Sequence, residues 1–327
     1  MNDCMANPLL RALGFNDFKR TVESIIPRRT FADVVLPPAT RRALDQALVQ
    51  VTSFDLIYRQ WGLGERHPGG MALAFNFAGP SGTGKTICAE AVAHALGRRL
   101  MIVRYAEVES MWMGETPKNV AAVFRLAREQ DAVLFFDEAD AIAARRSTSV
   151  DHSFQRESNT VVSVLLQELE RFNGVVIFAT NMAVNFDPAF ERRIRTHVLF
   201  EMPRLAEREA IWRVQMHSRT PLAPDVNFRS LAERFEASGG DIHNAVLKAA
   251  MAAAAEPGPD SAKKIHQRHF EDGIRDVIAG RRVMRQSIAP APVDRTIERV
   301  ASTLPLLLAG AALLVALAAM ALALVRG

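Results

Sequence analysis

The chain has 327 residues, a formal net charge of +4 and 49% hydrophobic residues, enough for one large domain with a smaller companion. The mild charge, with no block of like charges, gives no reason to invoke nucleic acid. Two cysteines, Cys4 and Cys88, lie outside any CxxC or Cys/His spacing, which excludes a disulfide scaffold and indicates a reducing compartment.

No cationic start followed by an apolar run opens the chain, so no secretory signal is read there. Residues 1–30 space Leu9, Leu13, Phe18, Val22, Ile25 and Ile26 as a loose amphipathic helix, interrupted by Gly14 and ended by Pro27. From Phe31 onward, short apolar runs alternate with helical patterns. ALAFNFA (72–78), LMIVRY (100–105), AVLFFD (132–137), GVVIFAT (174–180) and HVLFE (197–201) read as strands; 85–96, 116–129 and 153–172 read as helices. Near-continuous apolar strands separated by helices predict an α/β domain over 31–203, its parallel sheet flanked by helices on both faces. Beyond Pro203, residues 205–218, 228–236, 240–255 and 266–279 predict a small all-helical domain spanning 204–285. Pro290 and Pro292 mark 286–303 as a linker. Residues 304–325 carry no charge, amide or hydroxyl. As a helix they would be about 33 Å long against a hydrocarbon core of about 30 Å, which predicts a C-terminal transmembrane anchor. Arg295 and Arg299 before it place the remaining domains on the cytoplasmic side.

Two motifs carry chemistry. GPSGTGKT (79–86) follows a predicted strand and opens a predicted helix, the context of a phosphate loop. Gly79, Pro80, Ser81, Gly82, Thr83, Gly84, Lys85, Thr86 and the following Ile87 are therefore read as a nucleotide cradle, with the helix N-terminus facing an anion. In that reading Lys85 reaches the β and γ phosphates, and the Thr86 hydroxyl holds Mg²⁺. VLFFDEAD (133–140) places Asp137 at a strand's carboxyl end to hold Mg²⁺, and Glu138 beside it to polarise the attacking water. Asp140 is either a helix-terminal charge or part of the site.

With these motifs the chain resembles the AAA family of ring-forming ATPases over about 31–280. The resemblance implies a P-loop NTPase sheet, a helical lid after it, and ATP with Mg²⁺ as cofactors. IFATN (177–181) is similar to the family's first sensor strand and gives Asn181 a role in orienting water. FDPAFERRIR (186–195) resembles the stretch carrying arginine fingers, which implies that Arg192 and Arg195 act at a neighbouring subunit of a homo-oligomer, a hexamer. SGGDIHNAVLKAA (238–250) resembles the start of the lid helix, with Gly239 and Gly240 near adenine and ribose, but has no arginine for a second sensor. ADVVL (32–36) places Asp33 and Val34 beside the base.

ESMWMGE (109–115) is similar to the aromatic–apolar–glycine loop with which threading members of the family grip a protein chain, and Trp112, Met113 and Gly114 match it. A Trp112 that only caps the sheet is the other reading. The resulting expectation is a membrane-anchored ATPase that remodels, extracts or unfolds protein substrates through a central pore. The alternative is an ATP-dependent assembly or switch protein that docks a partner complex at the membrane without threading.

Overall fold

The computed structural model describes residues 22–66, 72–104, 116–142, 153–181 and 187–286. Within it, β1 (Glu23–Ile25), β2 (Leu73–Ala78), β3 (Leu100–Arg104), β4 (Val133–Asp137), β5 (Val175–Thr180) and β6 (Thr196–Leu199) form one sheet in the order β1-β3-β4-β5-β2-β6. Every neighbouring pair is parallel except β1 with β3. Because β2 lies between β5 and β6, the loop leaving β2 emerges beside the carboxyl end of β5, with that of β4 one strand further on. Crevices of this kind, at the carboxyl ends of parallel strands, are where such sheets bind ligands.

Period-two alternation sorts the strand residues between two cores. Ala74, Met101, Val103, Leu134, Phe136, Val176 and Phe178 belong to one apolar cluster. Their neighbours Phe75, Phe77, Leu100, Val133, Phe135, Val175 and Ile177 belong to the other. Helices α1 (Pro38–Thr52) and α2 (Lys85–Ala95) cover the second cluster through Leu44, Leu48, Cys88, Ala89 and Val92. Helices α3 (Thr116–Glu129) and α5 (Ser153–Arg171) cover the first through Val120, Phe124, Val161, Leu165 and Leu169; the four-residue α4 (Ala139–Ile142) lies between them in sequence. Cys88 is fully buried, and burial pushes its thiol up to about 12, so it serves as a small apolar side chain. Phe136 and Phe178 stack at 5.3 Å across β4 and β5, the two strands that carry site residues at their ends.

Past Leu199 the described chain is helical: α6 (Leu205–Val214), α7 (Phe228–Arg234), α8 (Gly239–Ala255) and α9 (Gln267–Gln286). Trp212, Phe228 and Phe270 pack together, with Trp212 and Phe270 edge to face at 5.7 Å. Ser238 and Asp241 cap α8 reciprocally: the Asp241 carboxylate accepts from Ser238 N at 2.8 Å, and Ser238 Oγ accepts from Asp241 N at 3.2 Å. This box fixes the helix start at Gly239. Residues 22–277 fall in one compact unit, and α9 runs on into a second whose described part ends at Gln286.

One local expectation is corrected. The tail end of the amphipathic pattern in residues 1–30 is strand, with Glu23, Ser24 and Ile25 paired to Ile102, Met101 and Leu100. The open edge of β3 supplies the backbone partners, and Arg99 and Arg104 hold Ser24 and Glu23 through their side chains. Tertiary pairing overrides a weak helical spacing here, and it gives a parallel sheet one antiparallel edge. Among the described residues, no helix is long and apolar enough to cross a membrane. The expected span at 304–325 and the loop carrying Trp112, Met113 and Gly114 lie outside the described residues.

Candidate functional site

The site begins where β2 ends. Gly79 adopts φ 150°, and a Cβ there would fall 2.1 Å from the Phe200 carbonyl oxygen, so only glycine lets the loop leave the sheet this close to the chain after β6. Gly84, at φ 100°, turns the chain directly into α2, whose first residue is Lys85. The helix N-terminus and the lysine therefore share one position.

Lys85 is only 8% exposed. Its Nζ donates to Gly79 O at 2.7 Å, Pro80 O at 2.9 Å and Asn181 Oδ1 at 2.9 Å. Burial holds its pKa below the ordinary lysine value, against the opposing pull of Asp137 and Asp140. Three acceptors offset the loss of hydration.

At the end of β4, Glu138 takes φ 53°, a left-handed conformation that costs a residue with a side chain about 1–3 kcal/mol. Its N–H donates to Asp137 Oδ1 at 3.0 Å, and this turn lifts the Glu138 carboxylate out of the strand line to an exposed position. Asp140 resolves differently from its neighbours. It accepts from the buried Thr180 hydroxyl at 3.1 Å, tying α4 to the end of β5, and does not line the cavity.

A cavity of about 560 Å³ gathers these parts, a size suited to a nucleotide-scale ligand. Ser81 to Ile87, Asp137, Glu138, Asn181, Asp33, Val34, Gly239 and Gly240 all line it. Gly79 and Pro80, expected in the cradle, do not: their carbonyls face Lys85 instead. The helical part meets the loop closely at backbone level. Gly240 N donates to Gly82 O at 2.9 Å, and a Cβ at either Gly239 or Gly240 would come within 3.2 Å of Gly82 atoms. Asp33 turns its carboxylate back to Thr30, accepting from the backbone N–H at 2.7 Å and the hydroxyl at 3.0 Å. The Thr30 backbone hydrogen bond is the main cause holding Asp33 below the usual carboxylate range.

The donor set fits Mg²⁺. Thr86 offers a hydroxyl and Asp137 a carboxylate to the same cavity, and oxygen donors of this kind suit a small hard cation.

Sequence reading missed Arg29, Val35, Glu90, Ile211, Val214, Gln215 and His243, which also line the cavity. Glu90 accepts from Arg28 N at 2.8 Å and Arg29 N at 3.1 Å, so α2 holds the 28–35 segment in place. Ile211, Val214 and Gln215 follow the i, i+3, i+4 spacing of one helix face, a signal visible in the sequence but silent about what it faces.

The arginine stretch stands apart. Asp187 accepts from Ala189 N at 2.8 Å to start the turn, and buried Phe190 and Ile194 anchor it. Arg193 is bound within the chain, paired to Glu170 and donating to Ala189 O at 2.9 Å. Arg192 and Arg195 are exposed, and neither lines the cavity of their own chain.

Residues 75–203 match the family model described as the ATPase family associated with various cellular activities (AAA). The chain is similar to an AAA family ATPase of Sinorhizobium fredii, y4kL, with 33% identity over 82% of this chain and 77% of that protein. It is 39% identical to the cell division cycle protein 48 homolog of Archaeoglobus fulgidus, over 61% of this chain and 29% of that one. The ATP-dependent zinc metalloprotease FtsH 3 of Sphaerobacter thermophilus is 35% identical over 78% of this chain and 50% of its own length. The chain thus spans half or less of the last two proteins.

Proposed function

The chain belongs to the AAA family, ATP hydrolases that work with ATP and Mg²⁺, and we propose that it is the motor subunit of a membrane-anchored ring that remodels, extracts or unfolds protein substrates. The observation that carries the motor reading is the convergence of Lys85, Thr86, Asp137, Glu138 and Asn181 on one cavity, from the ends of three adjacent parallel strands. Lys85 and the N-terminus of α2 bind the phosphates. Mg²⁺ held by Thr86 and Asp137 would neutralise charge on the phosphate oxygens. Glu138, exposed by its left-handed turn, orients and deprotonates the attacking water, and Asn181, hydrogen-bonded to Lys85, helps to position it.

Arg192 and Arg195 are exposed beside a committed Arg193, which supports their action at a neighbouring copy's cavity and hence a homo-oligomer, a hexamer. The name of the similar FtsH 3 couples ATP to proteolysis, which supports protein as the substrate class here. Trp112, Met113 and Gly114 follow β3 in the chain, and in this reading they grip the substrate. Residues 304–325 anchor the ring, and the ATPase faces the cytoplasm.

Replacing Trp112 with Ala tests the gripping step. Substrate-stimulated turnover should vanish while basal ATP hydrolysis stays; unimpaired substrate processing would instead favour docking without threading. A chain ending at residue 302 should leave the membrane fraction, and its continued retention there would remove 304–325 as the anchor.

A further inference from the structure

The register between β4 and β5 ends at Phe136 and Phe178. The two groups assigned to the attacking water lie past that point, Glu138 after β4 and Asn181 after β5. Backbone pairing therefore does not set how far apart they stand, and a link beyond the ladder has to.

One side-chain hydrogen bond spans the gap. Thr180 is the last residue of β5 and only 1% exposed, and its hydroxyl donates to Asp140 Oδ1 at 3.1 Å. A carboxylate offers acceptors alone, so the hydroxyl is the donor in this pair. On the β5 side, Thr180 O accepts from Gly79 N at 3.1 Å, and the adjoining Asn181 accepts from Lys85 Nζ. On the β4 side, Asp140 is two residues from Glu138, across Ala139, which is fully buried in the apolar cluster beneath. The left-handed Glu138 thus sits between Asp137 Oδ1, which accepts from its N–H, and a turn fastened to β5. Asp140 does not line the cavity, so any influence it has on hydrolysis passes through these neighbours.

We propose that Asp140 and Thr180 are a positioning pair for hydrolysis, whose hydrogen bond sets Glu138 and Asn181 at the separation needed to hold one water between them. A reacting group displaced by a fraction of its bond length loses rate even when the substrate binds normally. The inference rests on Glu138 and Asn181 acting on the water, and it adds what holds them in register.

Steady-state hydrolysis of ATP by the full chain and its variants tests it, alongside thermal unfolding. Thr180→Val and Asp140→Ala should each lower kcat by about tenfold, the worth of one such hydrogen bond, with KM for ATP nearly unchanged. The double variant should fall no further than either single one, because both remove the same bond. Thr180→Ser and Asp140→Asn keep a donor and an acceptor and should retain most of kcat. Retention of kcat in Thr180→Val, even with a lower unfolding temperature, would overturn the proposal, as would a loss confined to KM or an Asp140→Asn as slow as Asp140→Ala. If Thr180→Val does not fold, the contrast between the two variants at half-buried Asp140 decides by the same criterion. Glu138→Gln separates this from the reading beneath it: if that variant still hydrolyses ATP, the assignment of the water fails, whereas its inactivity beside an unimpaired Thr180→Val condemns the positioning pair alone.

Discussion

The phosphate loop and the arginine stretch both present cations, yet the chain treats them in opposite ways. Lys85 is nearly buried and held by three acceptors drawn from its own loop and from Asn181. Arg192 and Arg195 sit a few residues from buried Phe190 and Ile194, on a well-anchored turn, but are left exposed and away from the cavity. Anchoring side chains that hold a turn firmly while its charges face solvent suit a group meant to act on something outside the chain. The difference teaches that one half of the proposed catalytic apparatus is assembled within a single fold and the other half is exported.

The sharpest way to break that comparison is Arg192→Ala. Turnover should fall by ~10³–10⁵, and mixing this variant with Lys85→Ala subunits should restore part of it, because each supplies what the other lacks. Steady-state ATPase assays of the mixtures decide the point, and absence of any complementation would return the arginine to its own chain. Glu138→Gln addresses the internal half. ATP binding should persist while hydrolysis drops by ~10²–10⁴, read by nucleotide binding alongside single-turnover rates; normal turnover would strip Glu138 of its role. Gly82→Ala tests how the helical part is seated, since a Cβ there would fall 2.8 Å from Ser238 Oγ at a residue with φ 77°. An increase in KM for ATP of about tenfold is expected from strain of this order. Arg193→Ala should do least. Its pair with Glu170 is largely at the surface, so stability should change by at most about 1 kcal/mol in thermal unfolding, with hydrolysis nearly unaffected. A collapse of turnover in this variant would erase the distinction between the committed arginine and its exposed neighbours.

Much of the fold was legible because strand burial writes itself locally. Runs such as VLFF (133–136) and VVIFA (175–179) are apolar at every position, since both faces of a central parallel strand are covered, and the structure finds strands within a residue or two of where those runs lie. The phosphate loop was legible for a related reason: its glycines answer to backbone geometry within a few residues. β1 was not, because Glu23–Ile25 becomes strand only through the open edge of β3, far along the chain. Asp140 could not be resolved from its own neighbourhood either, as its partner Thr180 lies 40 residues away.

The part of the cavity beyond the phosphate loop follows the same division. Its residues Ile211, Val214 and Gln215 carry no motif, His243 lies within the 238–250 stretch without a role assigned by it, and Gln215 meets His243 across 28 residues. By itself the sequence determined the layered α/β sheet, the glycine-rich loop from Gly79 into α2 and the carboxylates at the end of β4, because each is encoded in period, glycine placement or adjacency; that Gly79 and Pro80 turn to Lys85 and leave Ser81 to Ile87 to line the cavity was not. Only the tertiary structure decided that Lys85 is held by Asn181, that Arg193 is spent internally while Arg192 and Arg195 are not, and that His243 faces Gln215. Those outcomes depend on which distant groups arrive within hydrogen-bond reach, and hydrogen bonds act over about 3 Å in space regardless of separation along the chain.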